Sequence, residues 1–381
     1  HIHPMRPIRP LLIAALLLPC AASAPAAGPQ PTTAEQVKKL VAVLKSDAAQ
    51  KEKADACREL ARIGNQDAVA PLAALLPDEK RSHMARYALE PIPGSAVDAA
   101  LRKAVVELRG RPLVGVIGSI GVRRDPKAVP LLAKLLHAPD REVAQAAARS
   151  LGDIGNPAAA KALLDALPGV SAANQLAFCE GLLRCAEAAA ARGNHQAAIS
   201  IYDRLREVPA PHQVRTAALR GAILTRKDGG LPLLVLALHS DEFGLTAAAV
   251  RTAQDMPGQE VTRLLAGELA GLPADRQILV IQTLAKRGDD AALPALYAAA
   301  RSGEAAVRVA AVRGLAELGN PSARSVLLEL LGDSDQPIAQ AAQETLVALP
   351  GKEVDAAIMK LLADGPAARR ITAMDFVVRR R

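Results

Sequence analysis

GDDAALPALYAAARSGEAAVRVAAVRGLAELG, from Gly288 to Gly319, is the stretch that decides the fold. Its first half, up to Arg301, places Leu293, Leu296, Tyr297 and Ala300 on one face of a helix. Ser302-Gly303 interrupts it. The second half places Val307, Ala310, Ala311, Leu315 and Leu318 on one face. Both halves keep the three-and-four spacing of amphipathic helices. The plan then recurs: GNPSARSVLLELL is followed by GDSDQPIAQAAQETLVALPG, and Leu318 to Leu349 repeats the 31-residue step from Gly288 to Gly319. A fixed period of that size, made of two short helices, predicts an all-α, right-handed α-α superhelix of roughly ten helix pairs.

The rest of the chain extends the period in both directions. A capping start at Thr32 or Thr33 with Glu35 opens a helix to about Lys45, and a partner runs from Gln50 to Ile63. A stop of Ile or Leu followed by Gly recurs at Gly64, Gly121, Gly155 and Gly319. It predicts a left-handed C-cap at each. An opener then follows as Asp125-Pro126, Asn156-Pro157 and Asn320-Pro321, where Asn or Asp caps and Pro occupies a turn that needs no donor. Between Lys80 and Leu113 the pattern degrades at Pro91, Pro93 and Gly94, although a helix pair still fits.

Composition agrees. Of 381 residues 50 % are hydrophobic but only 2 % aromatic, with no Trp, which suits thin layers of closely packed Ala and Leu helices and not a β-sandwich. The formal charge is +8, and +6 without Arg6 and Arg9. That is ordinary for solubility, and with three Tyr and no Trp the material for stacking bases is thin, so no nucleic-acid partner is expected.

Residues 1–4 precede a natural start at Met5. Residues 5–26 read as a signal peptide: Arg6 and Arg9, an apolar run from Leu11 to Leu18, then small residues with cleavage after Ala22 or Ala26. The run is too short for a transmembrane span. Pro19 precedes Cys20 where a lipoprotein site wants Gly or Ala, so a lipid anchor at Cys20 is not expected. Residues 27–32 form a linker. The implied location is periplasmic or secreted. Cys57, Cys179 and Cys185 are too few for a disulfide framework and read as buried inert thiols.

The proline-opened first helix, the turn Asp of Pro139-Asp140, and the Val-Arg pairs Val214-Arg215 and Val307-Arg308 resemble the HEAT-repeat family, an armadillo-like solenoid. The resemblance covers residues 33–173 and 209–365. It implies a ladder between neighbouring units, loosely matched by Asp140, Asp335, Arg215 and Arg308, with Ala339 where one Arg would stand. Residues 174–208 instead resemble one tetratricopeptide hairpin, on Ala189, Gly193, Asn194, Ala198, Ile199, Tyr202 and Leu205. Residues 366–381 make a terminal helix in which Phe376, Val377 and Val378 form no polar cap, so the reading includes a fragment of a longer chain. Similar arrays occur in secreted proteins of planctomycete-like bacteria, joined to sugar-active or cytochrome-like domains.

No catalytic, cofactor-binding or metal site is expected, and no cofactor. None of His83, His137, His195, His212 and His239 lies at i, i+4 with another His or Cys. Gly115 to Gly121 superficially resembles a dinucleotide loop but lacks a strand before it. Asp289-Asp290 and Asp333-Asp335 read as helix caps. HEAT-like arrays include bilin lyases and base-excising glycosylases, but the leader and the sparse aromatics speak against each. The function expected is a non-catalytic extracytoplasmic scaffold that binds a protein partner or a missing domain of the same chain. Arg149, Arg184, Arg220, Arg251 and Arg313 are candidate surface positions. The alternative is an accessory module of a larger polysaccharide-active or redox enzyme, and a nucleic-acid-binding solenoid is a third class.

Overall fold

A computed structural model describes residues 32–380. The signal peptide, Cys20 and all of the linker but Thr32 lie outside the described residues. Among the described residues twenty-two α-helices follow one another: α1 (Thr33–Lys45), α2 (Gln50–Ile63), α3 (Gln66–Ala73), α4 (Ser82–Leu89), α5 (Ser95–Glu107), α6 (Gly110–Arg123), α7 (Val129–Leu135) and α8 (Arg141–Ile154). Then come α9 (Pro157–Ala166), α10 (Ala172–Ala191), α11 (His195–Glu207), α12 (His212–Arg226), α13 (Leu231–Leu238), α14 (Phe243–Asp255) and α15 (Gln259–Glu268). The last are α16 (Ala274–Arg287), α17 (Leu293–Arg301), α18 (Ala305–Leu318), α19 (Arg324–Leu330), α20 (Gln336–Ala348), α21 (Lys352–Asp364) and α22 (Ala367–Arg379). Each odd helix packs on the even helix after it, giving eleven pairs against roughly ten expected.

Every even helix also touches the next even helix, from α2 through to α22. The odd helices form a second, looser layer. Closer spacing in one layer bends the stack towards it, so the even helices line the inner side of the curve. Small residues allow the close approach: a Cβ on Gly152 of α8 would sit 2.6 Å from the Cα of Gly181 on α10. The core between the layers is mostly Ala, Leu, Val and Ile.

The caps follow the sequence. The Thr32 hydroxyl accepts from Glu35 N while the Glu35 carboxylate accepts from Thr32 N at 2.9 Å, a reciprocal capping box. Asn156 caps α9 by accepting from Ala159 N at 2.8 Å. Asp125 and Asn320 each accept from the amide two residues on, at 3.0 and 2.9 Å, and so open a single 3-10 turn before α7 and α19. Asp289 opens α17 in the same way.

The glycine stops divide into two kinds. Gly155 and Gly319 are left-handed, with φ of 61° and 66°. Gly64 ends α2 at φ −61°, and Gly121 lies inside α6, which runs on to a left-handed Arg124. At both, close approach explains the glycine. A Cβ on Gly64 would meet Ile92 Cδ1 at 2.9 Å, and one on Gly121 would meet Ser150 Oγ at 2.9 Å. The Gly115 to Gly121 run is therefore helical. The degenerate region from Lys80 to Leu113 holds α4, α5 and the start of α6. Residues 174–208 contain most of α10, which at 20 residues is the longest helix described, and α11, with Gly193 at φ 79° between them.

Candidate interaction surface

The solvent face of the even layer carries the five arginines that the sequence offers as surface positions: Arg149 on α8, Arg184 on α10, Arg220 on α12, Arg251 on α14 and Arg313 on α18. Three are engaged by the neighbouring even helix. Arg149 lies 3.5 Å from Glu180, Arg220 lies 2.7 Å from Asp255, and Arg184 pairs with Asp153. These half-exposed pairs add little stability, about 0–1 kcal/mol each, but they neutralise the surface. Arg251 and Arg313 are exposed.

Beside Arg313 the layer opens into a groove of about 560 Å³ between α16 and α18, closed at one side by Pro337 of α20. Its floor is apolar: Ile278 and Ala285 from α16, and Ala306, Val309 and Ala310 from α18. Gln282, Arg313 and Glu317 stand at its polar margin. An apolar floor with a few polar groups at its rim suits a side-chain ridge from another protein.

The inter-unit ladder takes a different form from the one expected. Arg308 at the start of α18 pairs with Asp333, in the turn before α20, and donates to Ala300 O at 3.0 Å. The Arg308 hydrogen bond holds the Asp333 carboxyl below its ordinary range. Arg215 makes two bonds of 2.7 Å to Glu242. Asp140 instead caps α8, accepting from Glu142 N at 2.9 Å, and Asp335 begins α20 without a side-chain cap. Asp333 thus serves as an ion-pair partner as well as a turn acceptor, and Asp290 accepts from Asn320 Nδ2 at 2.8 Å.

A second set of arginines escaped the sequence reading. Arg287 at the end of α16 donates to the carbonyls of Met256 at 2.8 Å and Gly258 at 2.7 Å, to that of Ala253, and to Thr262 Oγ1 at 3.0 Å. Arg123 does the same to Glu90 O and Ile92 O, both at 2.8 Å, to Gly94 O at 3.0 Å, and to Asp98. Arg380 holds Leu346 O at 2.8 Å, Val347 O at 3.0 Å and Leu349 O, and bonds Asp355 at 2.9 Å. Each clamps carbonyls at the end of the preceding even helix and in the turn after it, where the helical ladder runs out of donors. The visible signal is spacing: each Arg stands 29 residues after a Pro-Gly, at Gly94, Gly258 and Gly351.

The histidines are dispersed. His83, His137, His195, His212 and His239 are all exposed on separate elements, and His239 Nε2 lies 2.7 Å from Glu268. Among the described residues no group of three or more His, Cys, Asp or Glu is placed to hold a metal ion. Cys57, Cys179 and Cys185 are buried free thiols. Among the described residues no helix is long and apolar enough to cross a membrane.

Residues 113–173 and 293–374 match the family model for HEAT repeats. A structure of Kap95p, solved in connection with RanGDP, is matched over 92 % of this chain and 55 % of its own, at 12 % identity and a TM-score of 0.52. The chain is a right-handed HEAT/ARM-like α-solenoid. It spans about half the length of Kap95p. Yeast importin-beta (Kap95p) in another structure is matched over 92 % of this chain and 56 % of its own, at 12 % identity and a TM-score of 0.49. An engineered protein is matched over 82 % of this chain and 98 % of its own, at 22 % identity and a TM-score of 0.36. No curated protein matches in sequence. The likeness at a TM-score of 0.52 carries the solenoid fold and nothing finer.

Proposed function

We propose that this solenoid is a non-catalytic, extracytoplasmic scaffold that binds a protein partner on its even-helix layer, with the groove between α16 and α18 as the seat. The groove carries the reading: it is the place where the layer exposes an apolar floor beside arginine and glutamate margins, and Arg313 is exposed there. The neutralised ladder from Arg149 to Asp255 supports a protein over a nucleic acid, which needs a continuous basic track. The leader-like residues 5–26 support the extracytoplasmic location. Kap95p, whose binding induces the switch loops of RanGDP to adopt the GTP-bound conformation, lends the analogy of a solenoid that binds a protein.

The test is co-purification from the extracytoplasmic fraction of the native host, with wild-type chain and with Val309→Glu. The expected result is one stoichiometric protein partner on the wild type, weakened at least roughly tenfold by the substitution, with the helical spectrum unchanged. Equal capture by both proteins would remove the groove from the reading. Recovery of the native protein in the cytoplasm, bound to nucleic acid in a steeply salt-dependent way, would overturn it.

A further inference from the structure

Gly94, Gly258 and Gly351 open α5, α15 and α21 at φ of 103°, 88° and 116°. The three units that begin at them align without a gap: Val97, Val261 and Val354 are buried three residues on, and the clamping Arg123, Arg287 and Arg380 stand at the same place. In the first two units the even helix turns a fixed set of side chains to the next even helix. Ile117 and Ile281 are 0 % exposed, and Ala285 is 3 % exposed in the place of Gly121. The covering helices are α8 and α18. Ser150 Oγ donates to Ile117 O at 2.8 Å, and a Cβ on Gly314 would lie 3.2 Å from Ile281 Cγ2 and 3.6 Å from Ala285 Cβ. Ser150 and Gly314 each stand 25 residues after the Asp that opens their unit, Asp125 or Asp289.

In the third unit the same positions are bare. Met374, in the place of Ile117 and Ile281, is 54 % exposed, and Val378, in the place of Gly121 and Ala285, is 71 % exposed. Ile371, one turn earlier, is 69 % exposed. On α21, Met359 is 54 % exposed where its counterpart on α15, Ala266, faces α17. Phe376, by contrast, is fully buried in the last core, so the uncapped face is Ile371, Met374 and Val378 and not the Phe376 to Val378 run.

We propose that this face is the seat of one further Asp-opened helix pair that continues the array on the same polypeptide. Two observations choose that occupant. The interface is already present twice in the molecule, in the same register, between α6 and α8 and between α16 and α18. The order of units also recurs: a glycine-opened unit is followed by one opened by Asp125 or Asp289, then by one opened by Asn156 or Asn320. Head-to-tail stacking of a second copy is a poor fit, because α2 carries Lys51, Glu52, Asp55, Arg58, Glu59 and Arg62, charges that burial against Ile371 and Met374 would strand.

Peptide mapping of the protein from its native host tests the covalent claim. The expected peptide begins at Val354 after cleavage at Glu353 and reads past Arg381 into an Asp-opened helix pair, with Gly, Ala or Ser 25 residues beyond the opener. A native terminus at Arg381 would overturn it. A second arm appends a copy of residues 289–319 to the 381-residue chain and follows amide exchange. Exchange over residues 371–378 should slow at least roughly tenfold, and Met374→Glu should restore it. No protection by the appended pair would overturn the proposal. So would an unextended chain that is already a dimer with those amides protected, because the occupant would then be a second copy.

Discussion

Gly118 and Gly181 both lie inside even helices, yet alanine should act on them with opposite sign. Nothing lies within 4 Å of a Cβ on Gly118, so Gly118→Ala gains helix propensity, about 0.5–1 kcal/mol. A Cβ on Gly181 would lie 2.5 Å from Ala148 O and 3.1 Å from Leu163 Cδ1, so Gly181→Ala forces α8 and α10 apart and should cost about 1–3 kcal/mol. Urea denaturation of the two variants reads the signs directly. Such glycines mark the limit of legibility at this scale. The caps at Thr32, Asn156 and Asp125 could be read from sequence because a cap is a local bond. Gly64 and Gly121 could not be told from the left-handed stops Gly155 and Gly319, because Ile92 and Ser150, which crowd them, belong to another unit. The thiols make a second residue-scale case. Burial pushes Cys57 and Cys179 up to about 11 and Cys185 up to about 12, against an ordinary 9.0. Below pH 9 both folded and unfolded chains keep these protons. Between pH 9 and about 11 the unfolded chain loses them and the folded one does not, so stability falls as pH rises, by up to about 1.4 kcal/mol per unit for each thiol. Denaturation midpoints at pH 8 and pH 10.5 should therefore fall further for the wild type than for the triple Cys→Ala variant.

At the scale of the element, the clamping arginines matter more than the surface ion pairs. Arg287 replaces water on three carbonyls and Thr262 at once, and its burial lowers its pKa, which only several charge-assisted bonds can offset. Arg287→Ala should cost about 2–4 kcal/mol, because the carbonyls of Ala253, Met256 and Gly258 lose a charged donor. Arg287→Lys should recover less than half of that, since an ammonium cannot spread its donors over the same span. Arg220→Ala, which removes only an exposed pair with Asp255, should cost under about 1 kcal/mol. Equilibrium denaturation of the three variants ranks them. An Arg in the last turn of a helix reads from sequence as a complement to the helix dipole. Its role as a clamp becomes legible only when Arg123, Arg287 and Arg380 are set in register with Gly94, Gly258 and Gly351. That comparison spans units too divergent for the 31-residue period to reveal by itself.

Across the whole molecule, the period gives the order of helix pairs and their approximate number, but it does not show where cooperativity ends. The apolar core falls into two clusters, one from Val37 to Ala222 and one from Leu219 to Phe376. They part within α12, whose Val214, Ala218 and Ala222 face the first while Leu219 and Ile223 face the second. Directly after α12 comes Lys227, exposed and held at φ 53°, ψ −127°, a conformation that costs a non-glycine residue about 1–3 kcal/mol. Gly229 and Gly230 follow it. In a solenoid each unit is stabilised only by its neighbours, so a seam with a divided core and a strained exposed backbone is where unfolding should separate. Two transitions are expected in urea. Leu182→Ala should shift only the one that belongs to the first core, and Leu315→Ala only the other, each by about 2–5 kcal/mol. Limited trypsin digestion should cut first after Lys227 and leave two protease-resistant pieces. A single coincident transition moved equally by both substitutions would mean that the packing of α12 on α14 couples the two cores into one cooperative body.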